Sequence, residues 1–149
     1  MKGVSVDNKD ILIGEISNAI SQLLGSSAAA VMRRAGINAS NTIWPDLEGG
    51  KSPEEAAQIM HNAVSDLKGF GELNLSPDGC GGCDIEFKDC AFASFTGSSG
   101  QPCGKQPICY FGFGLVEETY KRLTGNRVKV VLKERDDANK ICKEKVEVK

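Results

Sequence analysis

The sequence predicts an α+β fold: N-terminal helices packed with a four-stranded antiparallel sheet, in the order ααββαββ. Three observations carry this. Apolar residues recur at helical spacing in two stretches of the first 70 residues. Beyond residue 71, four short stretches alternate with a period of two. One apolar helical stretch, 107–124, separates the four into two pairs. The 149 residues read as one domain, 1–149, with a helical part over 1–70 and a ββαββ core over 71–149.

The first helix is expected over 8–35. Asp7 or Asn8 can cap it, and Leu12, Ile16, Ala19, Ile20, Leu23 and Leu24 form its apolar stripe. Gly25-Ser26-Ser27 is a candidate break, and Gly36 reads as a C-terminal stop. Residues 36–51, with Trp44-Pro45 and Gly49-Gly50, read as a loop. Ser52-Pro53-Glu54-Glu55 then opens a helix over 52–69. It offers a capping serine, proline at the first helical position and a glutamate three residues after the cap. Glu72-Leu73-Asn74-Leu75-Ser76 alternates as a strand. Pro77-Asp78-Gly79 turns, and the alternation resumes from Asp84 to Cys90, which predicts a hairpin.

Residues 91–106 are a Ser/Gly-rich loop carrying Phe92 and Phe95. The helix over 107–124 opens at Pro107 and closes at Gly125. It holds Gly112 and Gly114 within one turn, which predicts close approach of another element or a ligand to its backbone. Two final strands, 127–134 and 140–148, flank a turn at 135–139.

Composition excludes several classes. Hydrophobic residues make up 40% and charged residues 26%, which fits a folded chain and not a disordered one. No apolar run approaches the roughly 20 residues of a membrane-spanning helix, and the N-terminus lacks a signal core, so the chain reads as cytoplasmic. The formal net charge is −2. Residues 121–149 are basic, with 10 Lys/Arg against 5 Asp/Glu. Those basic residues alternate with Val and Leu, the pattern of a solvated strand face, so no nucleic-acid partner is expected. The one histidine, His61, lies beside the apolar stripe of its helix and reads as structural.

Six cysteines, at 80, 83, 90, 103, 109 and 142, all lie in the second half. In a reducing compartment such clustering points to metal or redox chemistry more than to disulfides. Cys80-Gly81-Gly82-Cys83 has the spacing of half a tetrahedral zinc site. Its partners depend on strand pairing. If the first strand of the hairpin pairs with the last strand, Cys80 and Cys83 converge with Cys109 and Cys142. If the second strand pairs, Cys90 arrives there, with Cys103 as its companion. The first set is preferred as Zn²⁺ ligands because it uses the Cys-x-x-Cys pair. Buried inert thiols, an iron–sulfur cluster and thiol redox chemistry are the alternatives.

Cys90-Ala91-Phe92, the run from Pro107 to Glu117, Val128-x-Val130 with Glu134, and the final Cys142 resemble the 4-vinyl reductase (hydrocarbon-binding) domain family, in its small stand-alone archaeal form. The resemblance implies a fold similar to a Golgi-transport subunit and to haem-containing nitric-oxide sensors. It also implies a hydrophobic ligand beside a structural zinc, and a homodimer. The family's zinc ligands would fall on Cys109, Glu134, a position near Asp136 or Asp137 where the family has a cysteine, and Cys142. Compensation by Cys80 and Cys83 is a reading of this chain's own hairpin pair and not a family feature. Haem is not implied, because His61 lies outside the matching stretch.

The expected function is therefore binding or sensing of a hydrophobic small molecule, in a pocket lined by Phe92, Phe95, Tyr110 and Phe113, with Trp44 as a further candidate. No catalytic residue is assigned. An enzyme or accessory factor in tetrapyrrole vinyl reduction and a ligand-free assembly module are the alternatives.

Overall fold

The computed structural model describes residues 8–94 and 106–149. Helix α1 spans Asn8–Leu24 and α2 spans Ala28–Ile43, joined by a single 3₁₀ turn at Gly25–Ser27. The break therefore falls where the Gly-Ser-Ser run places it. Gly36 does not stop the helix. It sits in the middle of α2, buried where α2 crosses a later helix, and α2 continues through the first part of the expected loop.

Helix α3, Pro53–Ser65, begins with the full capping box. The Ser52 hydroxyl accepts from the Glu55 N–H (3.1 Å) and the Glu55 carboxylate accepts from the Ser52 N–H (3.0 Å). It ends four residues before Gly69, which belongs to the following turn.

Strands β1 (Glu72–Pro77) and β2 (Cys83–Lys88) form the hairpin. Helix α4 spans Pro107–Thr124, and β3 (Val128–Asp136) and β4 (Ile141–Val148) form a second antiparallel pair. The sheet order is β1-β2-β4-β3, with every neighbouring pair antiparallel. This is the expected α+β class with a four-stranded antiparallel sheet. The hairpin joins the last strand through β2, with Phe87 opposite Cys142 and Cys83 opposite Val146.

The inner sheet face carries Leu73, Ile85, Phe87, Val128, Val130 and Val146, and α3 and α4 cover it with Met60, Val64, Phe113, Val116, Tyr120 and Leu123. Burying such side chains is the main favourable term for the fold. The outer face of the second pair is charged and internally compensated: Lys143 pairs with Glu134, Lys133 with Glu147, and Lys145 with Asp78 and Asp84. That is the solvated strand face expected for the basic C-terminal region.

Helix α2 lies on α4, and glycine permits the contact. A Cβ at Gly114 would collide with the Arg33 carbonyl oxygen, and one at Gly36 with the Phe111 carbonyl oxygen. The two helices thus meet backbone to backbone. The expectation that something approaches α4 closely at its glycines is met by α2 at Gly114 and by the Phe92 ring at Gly112. Arg33 then ties three elements together. Its Nε donates to Glu117 Oε2 (3.2 Å) and its Nη2 to the Val130 carbonyl (3.3 Å), while the Val130 N–H donates to the same Glu117 oxygen (2.9 Å).

Candidate functional site

The N-terminal half of α4 roofs a cavity over the sheet. Its walls follow from two local patterns. In β4 the alternation turns Cys142, Glu144 and Val146 toward the core. In α4, Pro107 at the first helical position places Cys109 in the first turn, facing the sheet with Gly112, Phe113 and Val116. After β2 the chain turns back, with the Ala91 N–H donating to the Phe70 carbonyl (2.8 Å), which brings Cys90, Phe70 and Phe92 to the same place.

The resulting cavity holds about 30 Å³, room for one or two waters. Among the described residues, four phenylalanines line it: Phe70, Phe87, Phe92 and Phe113. Phe92 stands edge-on to Phe70 and to Phe111, with centroids 5.1 and 5.7 Å apart. It rides on a 3₁₀ turn, Ala91–Ser94, and not on a strand or long helix.

The polar part of the wall is unusual. Cys90, Cys109, Cys142 and Glu144 line it, and among the described residues no Lys, Arg or His does. Glu144 is only 8% exposed, and it has no hydrogen-bond or ion-pair partner among the described residues. Burial, and then the neighbouring Cys142 thiol, push its carboxyl up from 4.5 to about 8. Arg135 stands beside this wall, donating from Nη1 to Cys142 Sγ (3.3 Å) and from Nε to Asp137 Oδ1 (2.9 Å).

Of the expected ligand-contacting aromatics, Phe92 and Phe113 line the cavity. Tyr110 packs edge-on against Phe113 (5.5 Å) beneath the Arg33 guanidinium and is not part of the wall. Trp44 faces a separate small crevice with Met60 and Thr119. Phe95 lies outside the described residues, as does Cys103. Phe70, Phe87 and Glu144 are wall residues that sequence reasoning missed. Glu144 carried a signal: it is in phase with Cys142 and Val146 in an alternating strand.

The four expected zinc ligands are not brought together. Cys83 and Cys142 sit at opposite ends of the β2–β4 ladder, because β2 pairs with β4. Cys90 is therefore the cysteine that joins Cys109 and Cys142 at the cavity. Cys80 is exposed at the hairpin tip. There the Asp78 carboxylate accepts from the Cys80 N–H (2.7 Å) and the Gly82 N–H (3.2 Å). The first of these bonds, then the Lys145 ammonium, hold that carboxyl below its ordinary range. Cys83 is fully buried, its thiol directed to the Tyr120 hydroxyl (3.7 Å) and pushed above its ordinary range by burial.

Glu134 points to the outer face, paired with Lys143 (3.8 Å), and Asp137 is held by Arg135. Among the described residues no three His, Cys, Asp or Glu side chains form a group able to hold a metal. The donor types at the cavity suit zinc, but their placement does not form a zinc shell.

His61 is structural, as expected: its Nδ1 is 2.8 Å from the Leu73 carbonyl oxygen. It borders an open groove of about 370 Å³ between α3 and β1, whose wall is mixed polar and apolar.

This architecture defines a class. No protein-family model and no curated protein matches the sequence, but solved structures share its fold. A trafficking protein particle complex subunit 3 from Naegleria fowleri, covalently bound to palmitic acid, is similar over 95% of both chains, with TM-score 0.59 and 12% identity. A Cs H-NOX mutant carrying 4-cyano-L-phenylalanine is similar over 96% of this chain and 75% of its own, with TM-score 0.61 and 17% identity. An H-NOX protein from a study of heme distortion is similar over 97% of this chain and 72% of its own, with TM-score 0.59 and 18% identity. The chain thus has the fold common to these trafficking-subunit and H-NOX structures. Among the described residues, no helix is long and apolar enough to cross a membrane.

Proposed function

We propose that this chain is a small-molecule binding module that holds an apolar ligand between α4 and the sheet. The observation that carries the reading is the phenylalanine-lined cavity beneath α4. Two features support it. The cavity lies inside the core, where an apolar molecule would be withdrawn from water. Its lid residue, Phe92, rests on a short 3₁₀ turn against the side-chain-free surface of Gly112. As it stands the cavity is nearly filled, so binding requires Phe92 to swing outward. The fold shared with a protein bound to palmitic acid and with H-NOX proteins is consistent with such a role.

The test is a thermal-shift and calorimetric screen of neutral apolar probes, such as toluene and indole, on the reduced chain. Native mass spectrometry of freshly purified protein runs alongside. A probe that raises the melting temperature in wild type, and more strongly in Phe92→Ala where the cavity is enlarged, supports the reading. No shift in either protein overturns it.

Membership of the 4-vinyl reductase family is part of the same proposal, supported by the Cys90, Pro107–Glu117 and Cys142 motifs. Zinc does not follow from the placement of the described side chains, and no step depends on it; elemental mass spectrometry measures it directly. The homodimer has one physical support: α1 exposes Ile11, Leu12, Ile16 and Leu23 on its surface. Sedimentation at several concentrations tests it.

A further inference from the structure

The cavity has a polar end, and its chemistry is one-sided. The groups there are the Glu144 carboxyl and the thiols of Cys90, Cys109 and Cys142. Once ionised, the Glu144 carboxyl is acceptor-only and a thiol is a weak donor, so strong hydrogen-bond donors are then scarce among the described wall residues. Among the described residues, no cation belongs to the wall. The lysines flanking Glu144 in sequence face the other side of β4, where Lys143 pairs with Glu134 and Lys145 with Asp78 and Asp84. Glu144 itself is buried in the central strand β4, with no partner among the described residues. Buried carboxyls without partners are rare, because removing such a group from water is costly unless something in the protein or a ligand replaces the lost hydrogen bonds.

We infer that Glu144 is the anchor for the polar head of the ligand, and that the cavity selects apolar amines over isosteric alcohols and carboxylates. This rests on the apolar-ligand reading above and specifies its substrate class. A primary ammonium supplies three donors and a charge opposite to that of a carboxylate. The surrounding phenylalanine rings favour a cation further, through their negative faces. A ligand carboxylate would instead bring a second negative charge beside the ionised Glu144 in an apolar enclosure, where like charges repel strongly. Selection against acids follows from the same residue that selects amines.

The test uses three probes of one shape: benzylamine, benzyl alcohol and benzoate. Each is titrated calorimetrically into reduced wild type, Glu144→Gln and Glu144→Leu at about pH 9, where the Glu144 carboxyl is ionised. The glutamine variant keeps the shape and removes the charge. The leucine variant completes the apolar wall and guards against a glutamine that disturbs folding, and circular dichroism checks both.

In wild type, benzylamine should bind at least about tenfold more tightly than benzyl alcohol, and benzoate more weakly than either. In Glu144→Gln the amine preference should vanish while benzyl alcohol binds within about threefold of wild type. Equal affinity for amine and alcohol in wild type overturns the inference but leaves the apolar-ligand reading standing. So does an amine preference that survives in Glu144→Gln, or tightest binding by benzoate. Failure of all three probes in all three proteins overturns both.

Discussion

The crossing of α2 on α4 makes the sharpest prediction, because two known effects oppose each other there. Replacing a helical glycine by alanine ordinarily stabilises a helix by about 1 kcal/mol. Gly114 lies within α4, so propensity alone predicts that Gly114→Ala raises stability. The structure predicts the reverse. The added Cβ would meet the Arg33 carbonyl oxygen and also stand 2.8 Å from the Arg33 carbonyl carbon and Cα. These are backbone atoms of α2, so no rotamer change relieves the overlap, and the helices must separate.

Overpacking costs about 1–3 kcal/mol, and a backbone collision belongs at the upper end of that range. The net effect is a loss of about 2 kcal/mol, which lowers the melting temperature by about 4–8 °C in a chain of this size. Gly36→Ala should behave alike, since its Cβ would meet the Phe111 carbonyl oxygen and stand 2.6 Å from the Leu115 nitrogen. The double variant should lose less than the sum of the two, because the second methyl enters a gap the first has opened. Gly112→Ala is the internal control. Its Cβ would stand 2.8 Å from the Phe92 ring, which can turn aside, so its net change should lie near zero. Urea denaturation of the four variants reads all of this. A Gly114→Ala protein as stable as wild type, or more so, would refute the backbone-contact argument.

Two further outcomes are expected. The Glu144 carboxyl moves from 4.5 to about 8 on folding, through burial first and the Cys142 thiol second. Between those values the folded chain keeps a proton that the unfolded chain has released. The contribution of Glu144 is then full below about pH 4.5 and is lost, by at most about 1.4 kcal/mol per unit, as pH rises toward 8. Urea midpoints at pH 5, 6.5 and 8 should show this slope in wild type and lose it in Glu144→Gln; parallel slopes would refute the assignment. Separately, the Tyr120 hydroxyl donates to the Gly81 carbonyl (2.7 Å) and receives the Cys83 thiol. Tyr120→Phe should therefore cost about 1–2 kcal/mol in chemical denaturation, and no loss would show that the hairpin tip is held by other bonds.

The elements were legible because each rests on a local pattern: the capping box at Ser52, the period-two alternation of the strands, and proline and glycine bracketing α4. What was not legible depends on contacts between distant segments. A glycine after two arginines in an apolar helix fits a stop or a crossing equally well. Gly36 proves to be a crossing only because Gly114, 78 positions on, supplies the matching gap. The cysteine site turned on one choice, whether β1 or β2 pairs with β4. That choice decides whether the hairpin tip or the far end of β2 lies beside Cys142. No local pattern in the two strands distinguishes them, since both alternate and both carry charge. Glu144 was hidden differently. Its neighbours Lys143, Lys145 and Glu147 make the strand read as a charged surface. Yet strict alternation from the buried Cys142 leaves position 144 no face but the inner one, so in a strand of mixed charge the residue to question is the one in phase with the core.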